Sequence, residues 1–262
     1  MAGMPIWYEL MTADPLSVAP FYRATLKWEI GPGEAMPNGV TYGMIGRADG
    51  GHAGGALTLS PAMRDSGARP GWLPYFHVGD VDAAAAEAQE LGGSVQMPPV
   101  SMDGVGRMAM LADPQGAPFY VMAPTPPAGQ PDAQSDVFDP QKAGHCRWNE
   151  LNTRDAAGAL AFYTALFDWT PGMAMPMGEA GDYRFIEHEG LAIGAVNPVR
   201  AGPSHWLPVF GVEEIQAAKA AAEANGGIVT QDLQEIPGGE FALGVTDPGG
   251  AALAFVGPKR GA

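Results

Sequence analysis

The sequence predicts an α+β protein in which one domain is written twice. Three observations carry this: an ordered internal repeat, short strand-like runs alternating with helix-like segments, and the same Asp-Pro turn near the end of each copy. The repeat opens with Trp7-Tyr8-Glu9-Leu10-Met11-Thr12-Ala13-Asp14, answered by Trp148-Asn149-Glu150-Leu151-Asn152-Thr153-Arg154-Asp155 at an offset of 148 − 7 = 141 residues. Phe21-Tyr22 answers Phe162-Tyr163 at that offset, Trp28 answers Trp169, and Tyr42 answers Tyr183. Further on the offset falls to 206 − 72 = 134, which predicts a longer loop in the first copy. There Trp72-Leu73-Pro74-Tyr75-Phe76 answers Trp206-Leu207-Pro208-Val209-Phe210, and Asp113-Pro114-Gln115-Gly116-Ala117 answers Asp247-Pro248-Gly249-Gly250-Ala251.

Each copy then reads in the same order. Strands are predicted over 6–12 and 147–152, each followed by an aspartate, Asp14 or Asp155, suited to cap a helix. The helices run to Leu26 and Phe167, with Pro20 predicting a late start or a kink in the first. Two strands follow, meeting at Asp49-Gly50-Gly51 or Glu189-Gly190. The second half of a copy opens with a strand over 73–78 or 207–212. An alanine-rich helix over 81–91 or 215–224 comes next, stopped by Gly92-Gly93 or Gly226-Gly227 in left-handed caps. Further strands surround the Asp-Pro-x-Gly turn. Each copy is therefore β-α-β-β-β written twice. Between the copies lies a proline-rich stretch beginning Pro124-Thr125-Pro126-Pro127, whose composition favours a stiff linker over a core. The predicted domains are 1–124 and 144–262, joined by a linker over 125–143, and the two copies are expected to fold independently.

Composition narrows the partners. Fourteen Lys and Arg against 29 Asp and Glu give a formal charge of −15, which repels a phosphate backbone and speaks against nucleic acid. No basic stretch or long apolar run points to a membrane. Cys146 is the only cysteine, so no intrachain disulfide forms, which fits a cytoplasmic protein. The N-terminus lacks the charged and apolar regions of a signal peptide.

The doubled β-α-β-β-β order, the aspartate after the first strand and the Asp-Pro-x-Gly turn resemble vicinal oxygen chelate domains, the superfamily of glyoxalase I, bleomycin-resistance proteins and extradiol dioxygenases. The Trp-x-Glu-Leu-x-Thr opening is similar to its tandem two-domain branch. The resemblance implies two curved-sheet cups with helices outside and the ligand inside. It also implies metal-ligand positions on the first strand of each half and on a last strand. Carried onto this chain, these fall at Trp7, Pro74 and Tyr120, and at Trp148, Pro208 and Ala254. None offers an imidazole, carboxylate or thiolate, so no metal and no cofactor is expected.

Strand alternation puts Trp7, Glu9 and Met11 on one face, and Trp148, Glu150 and Asn152 on another. The candidate ligand-binding residues are thus Trp7, Glu9, Trp72 and Tyr120 in the first copy and Trp148, Glu150 and Trp206 in the second. The glutamates are read as bases, acceptors or, under a metal-dependent alternative, relocated ligands, or else as structural partners of backbone amides or of an arginine such as Arg23 or Arg147. The aromatics are read as cup walls or as core. No catalytic residue is assigned. Among the histidines, His52 and His188 are expected at the surface and His77 on the helix side. His145 and His205 are candidates to meet near Glu150. The function expected is metal-independent binding of a small planar or apolar molecule. The alternatives are a divalent-metal lyase of the lactoylglutathione lyase type or a dioxygenase with relocated ligands, and a copy turned into an assembly surface.

Overall fold

The computed structural model describes residues 2–36, 40–131 and 133–260. The outer limits of the two copies, Met1 and Ala262, and Asp132 of the linker lie outside the described residues. The first copy runs β1 (Pro5–Thr12), α1 (Pro15–Leu26), β2 (Glu29–Ile30), β3 (Glu34–Ala35), β4 (Thr41–Gly46), β5 (His52–Thr58), α2 (Pro61–Asp65), β6 (Gly71–His77), α3 (Val81–Glu90), β7 (Ser94–Met102), β8 (Gly106–Ala112) and β9 (Pro118–Pro124). The second runs β10 (Cys146–Thr153), α4 (Ala156–Phe167), β11 (Thr170–Pro176), β12 (Asp182–His188), β13 (Leu191–Pro198), β14 (His205–Gly211), α5 (Ile215–Ala224), β15 (Ile228–Glu235), β16 (Phe241–Thr246) and β17 (Ala252–Gly257). The α+β class and the doubled β-α-β-β-β order stand as the sequence predicts. The shorter offset is explained by α2, which lies in the longer connection between β5 and β6.

The local signals act where expected. Asp14 accepts hydrogen bonds from the amides of Leu16 and Ser17, and Asp155 from that of Gly158, so both helices start on a side-chain cap. Helix α1 begins at Pro15 and continues through Pro20. Gly92 and Gly226 sit at positive φ after α3 and α5, as the Gly-Gly stops require.

The chain divides into two compact units, cut differently from the two sequence copies. One comprises Met1–Ile6, Pro74–Ser135 and Trp148–Trp206; the other comprises Trp7–Leu73, Asp136–Arg147 and Leu207–Ala262. The first unit thus holds α3 with the open strand order β6-β9-β8-β7 and α4 with the order β11-β12-β13-β10. The second holds α1 with β2-β4-β5-β1 and α5 with β14-β17-β16-β15, β3 adding to β4. Each unit therefore joins one half of each copy. Part of the linker belongs to the second unit: Val137 is buried in its core and Phe138 packs against it. The linker expected over 125–143 to stay outside any core thus contributes two apolar side chains to one.

Both cores are aromatic and close around a tyrosine. In the second unit Trp72 donates its indole N–H to the Tyr22 hydroxyl (3.1 Å), which donates to Asp247 Oδ2 (2.7 Å). In the first, Trp206 donates to Tyr163 (3.1 Å), which donates to Asp113 Oδ2 (3.3 Å). The aspartates are those of the Asp-Pro turns, and each also accepts a backbone amide of its own turn, from Ala251 or Ala117. Burial pushes both carboxyls above the ordinary aspartate range. A helix tyrosine of one copy is thereby tied to the last turn of the other.

Two outcomes follow from this arrangement. Tyr22→Phe should lower stability in urea by about 2 kcal/mol, because it strands a buried carboxylate oxygen and an indole N–H. Tyr163→Phe should cost less, its bond being longer, and equal losses would mean that packing rather than hydrogen bonding holds the tyrosines. Residues 1–124 expressed alone leave α1 without α5 and α3 without α4. They should show no cooperative monomeric melting transition, and such a transition would show instead that each copy folds independently.

Candidate functional site

The face of β10 opposite Leu151 carries Trp148, Glu150 and Asn152, as alternation predicts. Strands β12 and β13 bring Tyr183, Phe185 and Asn197 to the same face, β13 pairing with β10 so that Asn152 lies opposite Asn197 and Glu150 opposite Ala195. The Trp148 indole donates to the Tyr183 hydroxyl (2.8 Å), and that hydroxyl donates to Glu150 Oε2 (3.0 Å). Asn197 Nδ2 donates to Glu150 Oε1 (3.2 Å) and to Asn152 Oδ1 (2.8 Å). Both carboxylate oxygens thus have donors. Burial, then the neighbouring Glu150 charge, raise the Tyr183 phenol well above its ordinary value, so it stays a donor at neutral pH. The Phe185 ring meets Trp148 edge-on at 4.9 Å between centroids. Residues 148, 150, 183, 185 and 197 are only half-buried, so the face is open to a ligand.

The second unit carries the first copy's version of this face. Trp7 donates to the Tyr42 hydroxyl (2.8 Å), Glu9 is buried, and its charge is felt by Tyr42, whose phenol is raised mainly by burial. Gly55, opposite Glu9, makes room for the phenol: a Cβ there would lie 2.0 Å from Tyr42 Oη. The row that holds Asn152 and Asn197 in the second copy holds Met11 and Leu57 here. Sequence reasoning nominated Trp7, Glu9, Trp148 and Glu150 and noted the recurring Tyr42 and Tyr183 only as a repeat. It missed Asn197, because a strand-to-strand partner has no fixed spacing in sequence.

Trp72 and Trp206 lie elsewhere. They are 2 % and 4 % exposed in the two aromatic cores, on the helix side. The second-half strands run in the opposite phase: Trp72 and Phe76, Trp206 and Phe210 point into the cores, and Pro74 and Pro208 share their rows. Tyr75 and His77 therefore face away from the helices, not toward them. Tyr75 stacks on Tyr120 at 4.1 Å between centroids, the two being register partners, and Val209 pairs with Ala254 in the second copy.

The remaining histidines part company. His52 is exposed. His188, expected at the surface, is 6 % exposed and occupies the repeat position of Arg47; burial lowers its pKa. His205 Nδ1 meets Pro203 O, and among the described residues it joins no metal-ligand group with Glu150 and His145. His145 lies in the second unit, where its Nδ1 meets Ala143 O (3.1 Å) and its Nε2 faces Asp49 Oδ2 (3.7 Å). Asp49, Asp136 and His145 bring their ligand atoms within 4.8 Å of one another, the one such group among the described residues. A cation is already there: the buried Arg47 guanidinium bonds both carboxylates, Asp49 through Nε (3.1 Å) and Asp136 through Nη2 (2.5 Å), and donates to His52 O (2.5 Å). Beside it an open groove of about 410 Å³ is lined by Lys27, Arg47, Asp49, Gly144, Glu213 and Glu214, among others.

Comparison with known proteins fits this geometry. A glyoxalase-like domain family matches residues 7–122, and the glyoxalase/bleomycin resistance protein/dioxygenase superfamily matches residues 142–255. A putative glyoxylase, CFP32, of Mycobacterium tuberculosis is 30% identical over 98% of this chain and 95% of its own. The chain belongs to the glyoxalase/bleomycin resistance protein/dioxygenase superfamily. Within it, an anthracycline biosynthesis protein, DnrV, of Streptomyces peucetius is 28% identical over 99% of this chain and 94% of its own. Among solved structures, the Mn(II)-bound glyoxalase from Novosphingobium aromaticivorans aligns with TM-score 0.64 at 14% identity, covering 99% of this chain and 83% of that one. The 2,3-dioxygenase LapB from Pseudomonas sp. KL28 aligns with TM-score 0.62 at 15% identity, covering 99% and 94%. These likenesses carry the fold.

The superfamily's metal positions do not fit a divalent ion in this chain. Trp7 and Trp148 stand on the first strands, Pro74 and Pro208 on the middle ones, in the core-facing rows of Trp72 and Trp206 with Tyr75 and Val209 on the opposite face, and Tyr120 and Ala254 on the last. Indole, phenol and alkyl groups are poor ligands, and Glu150 already accepts from two neutral donors.

Arg47 offers a test of what its cluster holds. Its guanidinium keeps Asp49 and Asp136 below the ordinary aspartate range. That stabilisation is complete above pH about 4 and is lost as pH falls through the depressed values. The Tm difference between the wild type and Arg47→Met should therefore be full at neutral pH and shrink in acid. The variant, freed of its own cation, should take up zinc through Asp49, Asp136 and His145 more tightly than the wild type does. Equal zinc affinity would show that Arg47 does not act as the resident cation.

Proposed function

We propose that this protein binds a small, planar, mainly apolar molecule without the help of a metal, acting in the cytoplasm. The observation that carries the reading is the state of Glu150, a carboxylate held by Tyr183 and Asn197 against a half-buried tryptophan. Such a group is an acceptor prepared for a ligand proton, on an aromatic wall suited to a flat ring. Trp7, Glu9 and Tyr42 supply the corresponding wall in the first copy, and Tyr120 extends the set of candidate contacts. Trp72 and Trp206 contribute by holding the cores rather than by touching the ligand. The relation to an anthracycline biosynthesis protein, whose name implies work on flat polycyclic compounds, supports the ligand class.

A metal-dependent lyase or dioxygenase is the second reading. It is favoured by one observation, the convergence of Asp49, Asp136 and His145, and it requires an ion to displace Arg47.

A panel of planar aromatic and quinone compounds, screened by tryptophan fluorescence quenching with and without EDTA, separates the two. Binding that is unchanged by EDTA, and about tenfold weaker in Glu150→Gln at unchanged Tm, supports the binding protein. Binding or turnover that EDTA abolishes and manganese or ferrous iron restores would move the enzyme reading to first place.

A further inference from the structure

The two copies differ where their faces are otherwise most alike. Across β12, β13 and β10 the second copy aligns Tyr183, Asn197 and Asn152, whereas the first copy holds Tyr42, Leu57 and Met11 in that row. The repeat therefore carries two adjacent carboxamides on one face and two alkyl side chains on the other.

The hydrogen bonds determine which way the carboxamides point. Glu150 accepts only, so the end of Asn197 that meets it must be the amide nitrogen. The two hydrogens of that nitrogen go to Glu150 Oε1 and Asn152 Oδ1. The opposite ends are then fixed as well: Asn197 presents its carbonyl oxygen, an acceptor, and Asn152 presents its amide nitrogen, a donor. Neither atom makes a hydrogen bond among the described residues, although Asn152 is 7 % exposed. Both atoms keep contact with solvent, so they stand ready to meet a ligand in place of water. Leucine and methionine fill the same row of the first copy, so the fold does not need amides there.

We infer that the second copy's face is specific for a neutral planar ring that carries a hydrogen-bond donor beside an acceptor, as a cyclic amide carries N–H beside C=O. The ring lies against Trp148 and Phe185, its carbonyl accepts from Asn152 Nδ2, and its N–H donates to Asn197 Oδ1. The Glu150 charge disfavours an acidic ligand at this place. The first copy's face, with Met11 and Leu57, makes no such distinction. This rests on the binding reading above and adds a ligand class to it.

The test uses the full chain, 2-quinolone, and N-methyl-2-quinolone, in which the donor is blocked, followed by ligand-observed NMR and calorimetry. The expected result is a preference of roughly tenfold for 2-quinolone, the worth of one hydrogen bond in a partly buried site. Asn152→Met/Asn197→Leu gives the second copy the first copy's row, which this fold already accommodates, and should abolish the preference while leaving Tm near the wild-type value. Equal binding of both compounds, or a preference that survives the double substitution, would overturn the donor–acceptor assignment and leave the binding reading standing. No binding of either compound at millimolar concentration would overturn the assignment and also count against the binding reading. Should the double variant fail to fold, Asn197→Leu alone, which removes the acceptor for the ligand N–H and places there the residue of the first copy's row, must still remove the preference.

Discussion

Burying a phenol requires that its hydroxyl find a partner, and in this protein Tyr22 and Tyr163 find theirs on the other copy of the repeat. Each hydroxyl stands between an indole N–H and the aspartate of an Asp-Pro turn. The turn holds the aspartate with its own amides, so the acceptor is rigid before the tyrosine arrives. With that bond made, α1 must lie with the half-sheet of β14 to β17, and α4 with that of β6 to β9. The remaining aromatic side chains, Trp28 and Phe210 in one unit and Phe76 and Trp169 in the other, fill the space around it. Committing the helix side of every strand to these cores leaves the opposite side free for Trp7, Glu9, Trp148 and Glu150.

What the sequence made legible follows from periodicity and local chemistry. Helix caps, glycine stops and hairpin turns are fixed by neighbours in the chain, and they fell where Asp14, Asp155, Gly92 and Gly226 placed them. The phase of β1 and β10 was correctly read from Trp7 and Trp148. The phase of β6 and β14 was not, because Trp72-Leu73-Pro74-Tyr75-Phe76 and its counterpart are apolar on both faces and give alternation nothing to register. The tryptophans went to the core, where their N–H groups meet the buried tyrosines, and the tyrosine pair Tyr75–Tyr120 took the other side. The exchange of halves between copies was invisible for a different reason. A repeat looks the same whether each copy folds on itself or each half folds on its counterpart.

The Arg47 cluster shows how a fold can hold ligand-like residues without requiring a metal. His145 has one nitrogen at a backbone carbonyl and the other toward two carboxylates, an arrangement that orients imidazole in many metal sites. Here the positive charge comes from the chain. Arg47 is buried, and its planar fork engages both aspartates and a carbonyl, which offsets one of the cluster's two negative charges and ties Asp136 to the hairpin of the first copy. The repeat position in the second copy is His188, a buried imidazole where the first copy has a guanidinium, so the device is not shared by both copies. It fastens the chain between the copies to the second unit, alongside the Trp28 bond to Gly144 O.

Divergence between duplicated faces is informative because the scaffold is held constant. Trp7 and Trp148, Tyr42 and Tyr183, and Glu9 and Glu150 persist, and they share a rationale: an indole and a phenol in a hydrogen-bonded chain beside a carboxylate make a rigid polar edge on an apolar wall. The adjoining row is where the copies part, and a change from alkyl to carboxamide alters no packing need of the core on the far side of the strand. Side chains facing away from a core answer to what they touch outside it. Asn152 and Asn197, half-used and facing the open side, are thus better accounted for by a ligand than by the fold, and the paired Met11 and Leu57 show what the fold alone would accept.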